Sequence, residues 1–250
     1  MIRAVLFDLG GTLHTASNPP GRDVRFAARL IERLGDYGIV LDTTPEELAH
    51  TLHVNAEAYK HSSEKTLREL PPAEIWADYY LREFHLTREQ LASMAEELSF
   101  LYDYDRMRIM RRPHVKETME QLKAMGMRLG IISNIISTSV VPHFLAEYDV
   151  LDDMEVVLMS STTGIRKPDA GIFRIAEEKM GLRPEEFAYV GDTISRDVMG
   201  VQNAGWKCMI RIMNPGTAHR DAGLEGKYLP DYLIHDLSEI PAIIEKENNK

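Results

Sequence analysis

The feature that most restricts the possible folds is a regular alternation of apolar segments and helical patterns after Arg112-Pro113. Strands that alternate with helices of this length form a parallel sheet covered by helices on both faces. A further apolar segment opens the chain and reads as a buried strand. The sequence therefore predicts an α/β fold whose strands are the segments 2–7, 127–133, 156–159, 187–190, 207–212 and 232–234.

A region of different character, residues 22–104, follows the first predicted strand. Its apolar residues recur at helical spacing, and no segment is typical of a strand. Segments 44–47 and 87–90 each begin with threonine and place glutamate or glutamine three residues later, which is the capping-box pattern of a helix start. We expect a four-helix insert. The resulting domain bounds are 1–15 and 108–250 for an α/β core and 16–107 for the helical insert.

The composition excludes several classes of protein. The chain is 44% hydrophobic and 27% charged, as in ordinary globular proteins, and no apolar run is long enough to cross a bilayer. The N-terminus lacks the features of a signal peptide, and the single cysteine, Cys208, has no internal disulfide partner. A net charge of −10 disfavours nucleic-acid binding. We expect a cytoplasmic protein whose partner is a small molecule, neither nucleic acid nor membrane; its oligomeric state is not predicted.

Polar side chains stand at the ends of three predicted strands. Asp8 follows the first strand, Ser133 ends the second and Asp192 follows the fourth. Ligands of open α/β sheets bind at the carboxyl ends of the strands, so we expect these side chains to meet. The two glycines after Asp8 allow the backbone to fold closely around an anion. The sequence therefore predicts an anion-binding site at this edge of the sheet.

Four segments, in this order, resemble the haloacid dehalogenase superfamily, in its branch with a helical cap inserted after the first strand. They are FDLGGTL at 7–13, IISN at 131–134, GIRKPD at 164–169 and GDT at 191–193, with Asp197 in the next turn. Each segment alone is common, but four in order, each in or beside a predicted strand end, are specific. The resemblance spans essentially the whole chain. It implies a Rossmann-like core, an all-helical cap and a Mg²⁺-dependent hydrolase, most often a phosphatase.

The resemblance also implies residue roles. Asp8 would attack phosphorus and form an acyl phosphate, which divides the transfer into two easier steps. Ser133 would bind a phosphoryl oxygen, and Lys167 would neutralise charge on Asp8 and on the transferred group. The implied phosphate-binding set is Gly11, Thr12, Ser133, Asn134 and Lys167.

A Mg²⁺ site is implied as well, because this hard cation takes oxygen ligands and keeps several waters. Asp192 would bind the ion directly, while Asp197 would reach it through water or would pair with Lys167. The implied metal set is Asp8, the backbone carbonyl of Gly10, Asp192 and Asp197.

Position 10 departs from the family pattern, since most of its phosphatases carry a second aspartate two residues after the nucleophile. Gly10 keeps the backbone carbonyl but has no carboxyl group to act as acid and base, a function typically worth ~10²–10⁴-fold in rate. Substrates with good leaving groups, such as acyl or aryl phosphates, would depend least on that function. Alternatively, another group would supply the acid–base function, and His14 is a candidate for it.

Three hypotheses for function follow. The first is a Mg²⁺-dependent phosphohydrolase that acts on a small phosphorylated metabolite through phospho-Asp8. The second is cleavage of a carbon–halogen or carbon–phosphorus bond, because those branches also lack the second aspartate. The carbon–halogen branch dispenses with Mg²⁺, and the carbon–phosphorus branch uses a cap lysine, for which Lys60 and Lys65 are candidates. The third is a catalytically weakened binding or regulatory protein.

The cap sets substrate specificity in this family. Tyr59, Lys60, Trp76 and Tyr80 are possible substrate contacts, although aromatic residues at helical spacing usually belong to a core. We expect the cap to open and close about the two linkers, near 15–20 and 108–113, and so to control access of water.

Overall fold

A six-stranded parallel sheet forms the centre of the molecule. The computed structural model describes residues 1–250 apart from the side chains of residues 218 and 219. The strands are β1 (Ala4–Phe7), β2 (His14–Ser17), β3 (Arg108–Arg111), β4 (Arg128–Ser133), β5 (Met154–Met159), β6 (Phe187–Gly191), β7 (Cys208–Ile212) and β8 (Tyr232–Ile234). The order in the sheet is β5-β4-β1-β6-β7-β8, and every neighbouring pair is parallel. This confirms the predicted α/β fold.

The helices divide into a group before β3 and a group that covers the sheet. They are α1 (Arg22–Asp36), α2 (Pro45–Thr66), α3 (Pro72–Ile75), α4 (Arg88–Leu91), α5 (Ala95–Tyr104), α6 (Val115–Ala124), α7 (Val140–Glu147), α8 (Ser160–Thr163), α9 (Ala170–Met180), α10 (Met199–Ala204) and α11 (Ile240–Asn248). Two π-helical turns, Trp76–Tyr80 and Ile194–Val198, follow α3 and precede α10. Among the described residues, no helix combines the length and apolar character needed to cross a membrane.

The central strand β1 alternates its side chains between two hydrophobic cores. Val5 and Phe7 pack in the core under α6, α7 and α11, while Ala4 and Leu6 pack in the core under α9 and α10. A strand sends successive side chains to opposite faces, so a sheet covered on both faces needs a continuous apolar run. Because β1 lies between β4 and β6, the residue that follows it stands in the middle of the carboxyl edge.

Helices α1–α5 pack around a hydrophobic core of their own, and this helical unit (residues 22–104) is called the cap below. Both expected capping boxes are present, at Thr44 before α2 and at Thr87 before α4. Four helices were expected; the third continues from α3 into the π-helical turn, and the fourth is divided into α4 and α5. Tyr59, Trp76 and Tyr80 are buried in the core of the cap.

The two chain segments that join the cap to the sheet pair with each other. Strands β2 and β3 form an antiparallel ribbon, in register from His14 opposite Arg111 to Ser17 opposite Arg108. The sequence did not predict this ribbon, because strands of four residues with mostly exposed side chains have no clear period. The linkers are therefore held side by side as they leave the sheet.

Candidate active site

The turn after β1 places Asp8 at the centre of the carboxyl edge. Gly11 in this turn has a left-handed backbone with φ +88°, and a Cβ atom there would lie 2.1 Å from Oδ2 of Asp192. A side chain at position 11 is thus excluded by both its conformation and its neighbour. At Gly10, in contrast, an added Cβ would meet only Nε2 of His14, at 3.9 Å. The turn requires glycine at position 11 but has room for a side chain at position 10.

Three buried carboxylates meet at this edge. Asp8, Asp192 and Asp197 each offer an oxygen, and these oxygens lie within 4.8 Å of one another. Asp8 is 9% exposed, and the other two are almost fully buried. Asp8 and Asp192, which follow separate strands, are thus close together at this edge, and Asp197 joins them from the turn after Asp192. A cluster of this kind suits a hard divalent cation, which takes oxygen ligands.

Lys167 is the counter-charge of this cluster. Its Nζ lies 2.6 Å from Oδ1 of Asp197, 2.7 Å from the hydroxyl of Tyr189 and 3.1 Å from Oδ1 of Asp8. The Tyr189 hydroxyl donates in turn to the carbonyl of Ile132, at 2.8 Å. An ammonium group has three donors, and all three have acceptors here. Lys167 is consequently fixed beside Asp8.

The ionisation of the three carboxylates reflects burial and mutual repulsion. Burial raises the pKa of Asp192 to about 7, and the charges of Asp197 and Asp8 add to this effect. Burial also raises the pKa of Asp8, although Lys167 opposes it. For Asp197, the charge and hydrogen bond of Lys167 outweigh burial and hold its pKa below the ordinary value. One ammonium group does not balance three carboxylates, so the site favours a further positive charge.

Asp192 is held by a second set of side chains. Its Oδ2 accepts hydrogen bonds from Nδ2 of Asn214, at 2.8 Å, and from Oγ1 of Thr217, at 2.6 Å. Within the described part of the chain, Oδ1 accepts no hydrogen bond and remains available to a cation. Sequence reasoning missed Asn214 and Thr217, yet they follow β7, and the strand-end rule applied to that strand would have found them.

Ser133 and Asn134 have different surroundings. Ser133 ends β4, is buried, and lines the cavity beside Asp8. The Asn134 amide is occupied by the backbone of Lys167: its Nδ2 donates to the Lys167 carbonyl at 2.9 Å, and its Oδ1 accepts from the Lys167 amide at 2.8 Å. Ser133 is therefore placed to meet a ligand, whereas Asn134 holds the loop that carries Lys167.

The expected phosphate contacts of Gly11 and Thr12 are not available through their backbone amides. The Gly11 amide donates to the His14 carbonyl at 2.7 Å, and the Thr12 amide donates to the Leu9 carbonyl at 3.2 Å. The tight turn uses these donors to close on itself. Gly11 lines the cavity, whereas Thr12 does not. The buried hydroxyl of Thr12 has no hydrogen-bond partner among the described residues.

His14 faces the open side of Gly10. Its Nδ1 lies 2.8 Å from the hydroxyl of Tyr148, and its ring packs against Phe144 with centroids 4.7 Å apart. Burial lowers the pKa of His14 to about 4, so the imidazole is neutral at neutral pH. The His14 ring lies where a side chain at position 10 would project. Because its imidazole is neutral at neutral pH, it brings no positive charge to this place.

A cavity of about 450 Å³ extends from this edge into the space under the cap. Its floor includes Asp8, Ser133, Lys167 and Asp192. The cap contributes apolar and charged side chains to its wall, among them Phe26, Leu52, Lys60 and Tyr102, and Arg106 follows from the segment between α5 and β3. Of the cap residues considered from the sequence, Lys60 lines the cavity, while Tyr59, Trp76 and Tyr80 do not.

Carboxylates of the cap bind the loops that carry Ser133 and Lys167. The buried Glu69 accepts a hydrogen bond from Oγ of Ser160 at 2.6 Å and forms an ion pair with Arg166, which precedes Lys167. Ser160 also accepts from the amide of Ile135 at 2.9 Å. Glu96 of α5 accepts hydrogen bonds from residues 137–139, at the start of α7. The cap thus meets the core in more places than its two linkers.

Comparison with known proteins agrees with this architecture. The family model for haloacid dehalogenase-like hydrolases matches residues 2–205. The chain therefore belongs to the haloacid dehalogenase-like hydrolase family, as its four sequence segments indicated.

Two relatives and one solved structure illustrate the similarity. The chain is 28% identical over 214 residues to a glyceraldehyde 3-phosphate phosphatase of Methanopyrus kandleri, an alignment that covers 82% of each chain. It is 29% identical over 218 residues to a phosphoglycolate phosphatase of Shigella boydii, covering 82% of this chain and 79% of the relative. The crystal structure of a 2-haloacid dehalogenase from Pseudomonas syringae superposes with a TM-score of 0.64, at 22% identity, and covers 99% of this chain and 100% of the other. That structural likeness establishes the shared fold.

Proposed function

We propose that this protein is a Mg²⁺-dependent phosphatase that hydrolyses small phosphorylated metabolites through a phospho-Asp8 intermediate. The observation that carries the proposal is the position of Lys167, 3.1 Å from Asp8 within a cluster of three buried carboxylates. Relatives named as phosphatases of glyceraldehyde 3-phosphate and phosphoglycolate support the choice of bond and of substrate size.

The residues present fit a Mg²⁺ ion. Asp8, the backbone carbonyl of Gly10 and Asp192 would hold it, and Asp197 would contact it through water, since both oxygens of Asp197 already accept hydrogen bonds from Lys167 and Thr193. When bound, the ion would neutralise the excess negative charge of the site and polarise the phosphoryl oxygens. The free Oδ1 of Asp192 and its raised pKa are the observations that support this fit.

The reaction uses Asp8 twice. A carboxylate oxygen of Asp8 attacks phosphorus, the bond from phosphorus to the ester oxygen breaks, and an acyl phosphate forms on Asp8. Water then attacks that phosphorus, which releases inorganic phosphate and restores the carboxylate. Lys167 stabilises the negative charge on the transferred group, Ser133 donates a hydrogen bond to one of its oxygens, and Asn134 keeps Lys167 in place.

Proton transfer is the weak step of this mechanism. Gly10 offers no carboxyl group, and the neutral His14 has no acidic proton to give the leaving group at neutral pH. The ester oxygen must therefore leave with little assistance. We infer that acyl and aryl phosphates are hydrolysed faster than alkyl phosphates.

A panel of phosphate esters assayed with Mg²⁺ tests the proposal. We expect hydrolysis of acetyl phosphate and p-nitrophenyl phosphate by the wild-type protein and loss of that activity in Asp8→Asn. Asp152→Asn is the matched control, because Asp152 is exposed and precedes β5, at the edge of the sheet opposite to the carboxylate cluster. Absence of turnover across the panel, or unchanged activity in Asp8→Asn, would reject the proposal.

Carbon–phosphorus cleavage is a second candidate because Lys60 lines the cavity. Its Nζ lies 3.0 Å from Oε2 of Glu57, so the amine is held near the ligand space. Borohydride trapping of Lys60 with a phosphonoaldehyde would support this function over ester hydrolysis. Activity that persists in chelator would instead support carbon–halogen cleavage, which the excess negative charge of the site disfavours. Tight binding of phosphate analogues without any turnover would support a binding protein.

A further inference from the structure

Arg106 is a mostly buried cation in the cavity wall whose guanidinium group has no hydrogen-bond partner among the described residues. Its side chain is 22% exposed, and its Nε is buried and unpaired. The guanidinium group stacks on Tyr102, 4.2 Å from the ring centroid, and its closest acidic neighbour, Asp23, lies 3.6 Å away, beyond hydrogen-bond distance. Within the described part of the chain no acceptor is bonded to it. Buried polar groups are nearly always bonded in folded proteins, so this guanidinium indicates a ligand.

The carboxylates near Arg106 do not fully neutralise its positive charge. Asp23 is shared with Arg22, whose Nε lies closer to it, at 3.2 Å. Glu57 is paired with Lys60. Asp103 accepts from the amide of Ser137 at 3.0 Å, and burial raises its pKa to about 7, which reduces its negative charge at neutral pH. This part of the wall is therefore positive, although the whole chain is acidic.

The same cavity connects this positive wall with Asp8. The cap side chains between them include Phe26, Ala49, Leu52 and Ala56, which offer apolar contacts. A second cavity of about 290 Å³ shares Arg22, Phe26, Arg106 and Met107 with the first. It adds Arg25, Arg29 and Arg108 against one carboxylate, Asp105, which pairs with Arg29. Clustered positive charge at an opening raises the local concentration of anionic ligands.

We propose that the substrate carries a second anionic group, and that Arg106 binds this group while the phosphoryl group lies at Asp8. Arg22 contributes to the same subsite. The substrate class is a phosphate ester with a short carbon skeleton that ends in a carboxylate or a second phosphate. The planar guanidinium of Arg106 forms paired hydrogen bonds to either group. This inference rests on the proposed function for the position of the phosphoryl group, but the binding test below does not require catalysis.

Calorimetric titration of the full chain with phosphonates, which are not hydrolysed as esters, tests the subsite directly. In the presence of Mg²⁺, 3-phosphonopropanoate should bind the wild-type protein more tightly than propylphosphonate, which lacks the carboxylate. Arg106→Gln should weaken binding of 3-phosphonopropanoate about 10- to 100-fold and leave propylphosphonate unchanged. Arg106→Lys should recover part of the loss, since it restores the charge without the planar fork. Arg82→Gln, at an exposed arginine of the cap, is the control for net charge.

Propane-1,3-diphosphonate distinguishes the two sources of the second anion. If it binds more tightly than 3-phosphonopropanoate, and this preference depends on Arg106, the second group is a phosphate; the reverse order assigns a carboxylate. Equal affinity of propylphosphonate and both dianionic ligands, in wild type and in Arg106→Gln, would overturn the inference.

Steady-state kinetics separates this inference from the proposed function. The ratio of kcat/KM for 3-phosphoglycerate to that for glycerol 3-phosphate should fall about 10- to 100-fold in Arg106→Gln, mainly through KM, and this fall should exceed any change in kcat/KM for p-nitrophenyl phosphate. If the ratio is unaltered but p-nitrophenyl phosphate is hydrolysed, the second-anion subsite is wrong and the phosphatase proposal stands. If no ester is hydrolysed but the phosphonates show Arg106-dependent binding, the phosphatase proposal fails and the subsite stands.

Discussion

Substitution of Gly10 by aspartate should supply the general acid–base group that the proposed reaction lacks in the wild-type protein. Position 10 has an ordinary backbone conformation, and an added Cβ would meet only Nε2 of His14, at the normal contact distance of 3.9 Å. Gly10→Asp is therefore expected to fold and to direct a carboxyl group into the cavity beside Asp8.

The expected gain follows from the chemistry of proton transfer. General acid–base assistance is typically worth ~10²–10⁴-fold, which corresponds to about 2.7–5.4 kcal/mol of barrier. The gain should be largest for an alkyl ester such as glycerol 3-phosphate, whose leaving group needs a proton. It should be small for acetyl phosphate, whose leaving group departs as a stable carboxylate.

Two neighbouring variants make the test specific. Gly10→Ala adds the Cβ without the acid and should leave activity near the wild-type value. Gly11→Ala should remove activity and Mg²⁺ binding, because its Cβ would lie 2.1 Å from Oδ2 of Asp192 in a left-handed backbone. Rates for both esters, with circular dichroism as the folding control, provide the comparison. A folded Gly10→Asp that hydrolyses the alkyl ester no faster than Gly10→Ala would refute the view that the missing acid limits the reaction.

Two further predictions concern the metal and the cap. Burial raises the pKa of Asp192 from its ordinary 3.8 to about 7. Between these two pH values the folded metal-free protein keeps a proton on Asp192 that the unfolded chain has lost, so the free energy of unfolding should fall as the pH rises from about 4 to about 7. Mg²⁺ needs the deprotonated carboxylate, so the increase in Tm caused by Mg²⁺ should be larger at about pH 8 than at about pH 5 in thermal unfolding; an equal increase would contradict this. Glu69→Ala leaves Arg166 buried and unpaired, at a cost of about 3–5 kcal/mol, and should lower Tm by roughly 6–20 °C together with kcat. Glu185→Gln, at an exposed glutamate, should change neither, and a Tm for Glu69→Ala equal to that of wild type would contradict the role of the pair.

The sequence was most informative where local pattern and tertiary requirement agree. A fully buried strand needs a continuous apolar run, and the central strands β1 and β6, which are buried throughout, have one. Helix starts at Thr44 and Thr87 could be predicted because a capping box is made within four residues. Asp8 and Asp192 could be placed together because the carboxyl ends of parallel strands share one edge.

Contacts between distant segments could not be predicted in the same way. Glu69 and Arg166 are 97 residues apart, and neither stands in a pattern that indicates a partner. The β2–β3 ribbon brings together residues about as distant, in strands too short to show a period. The amides of Gly11 and Thr12 illustrate a third limit, because a glycine-rich turn has the same sequence whether its donors point at a ligand or close the turn itself.

The attachment of the cap changes how its motion must be understood. Linkers alone would let the cap swing as a unit, but such a swing would separate the buried Glu69 from Arg166 and Ser160. Breaking a buried ion pair costs about 3–5 kcal/mol, so a fully detached cap would be populated at only about 10⁻²–10⁻⁴. It would also release the loop that carries Lys167. We therefore expect the end of α2 near Glu69 to act as a fixed point, and opening of the cavity to occur at the arginine-lined side, where Arg106 has no bonded partner among the described residues.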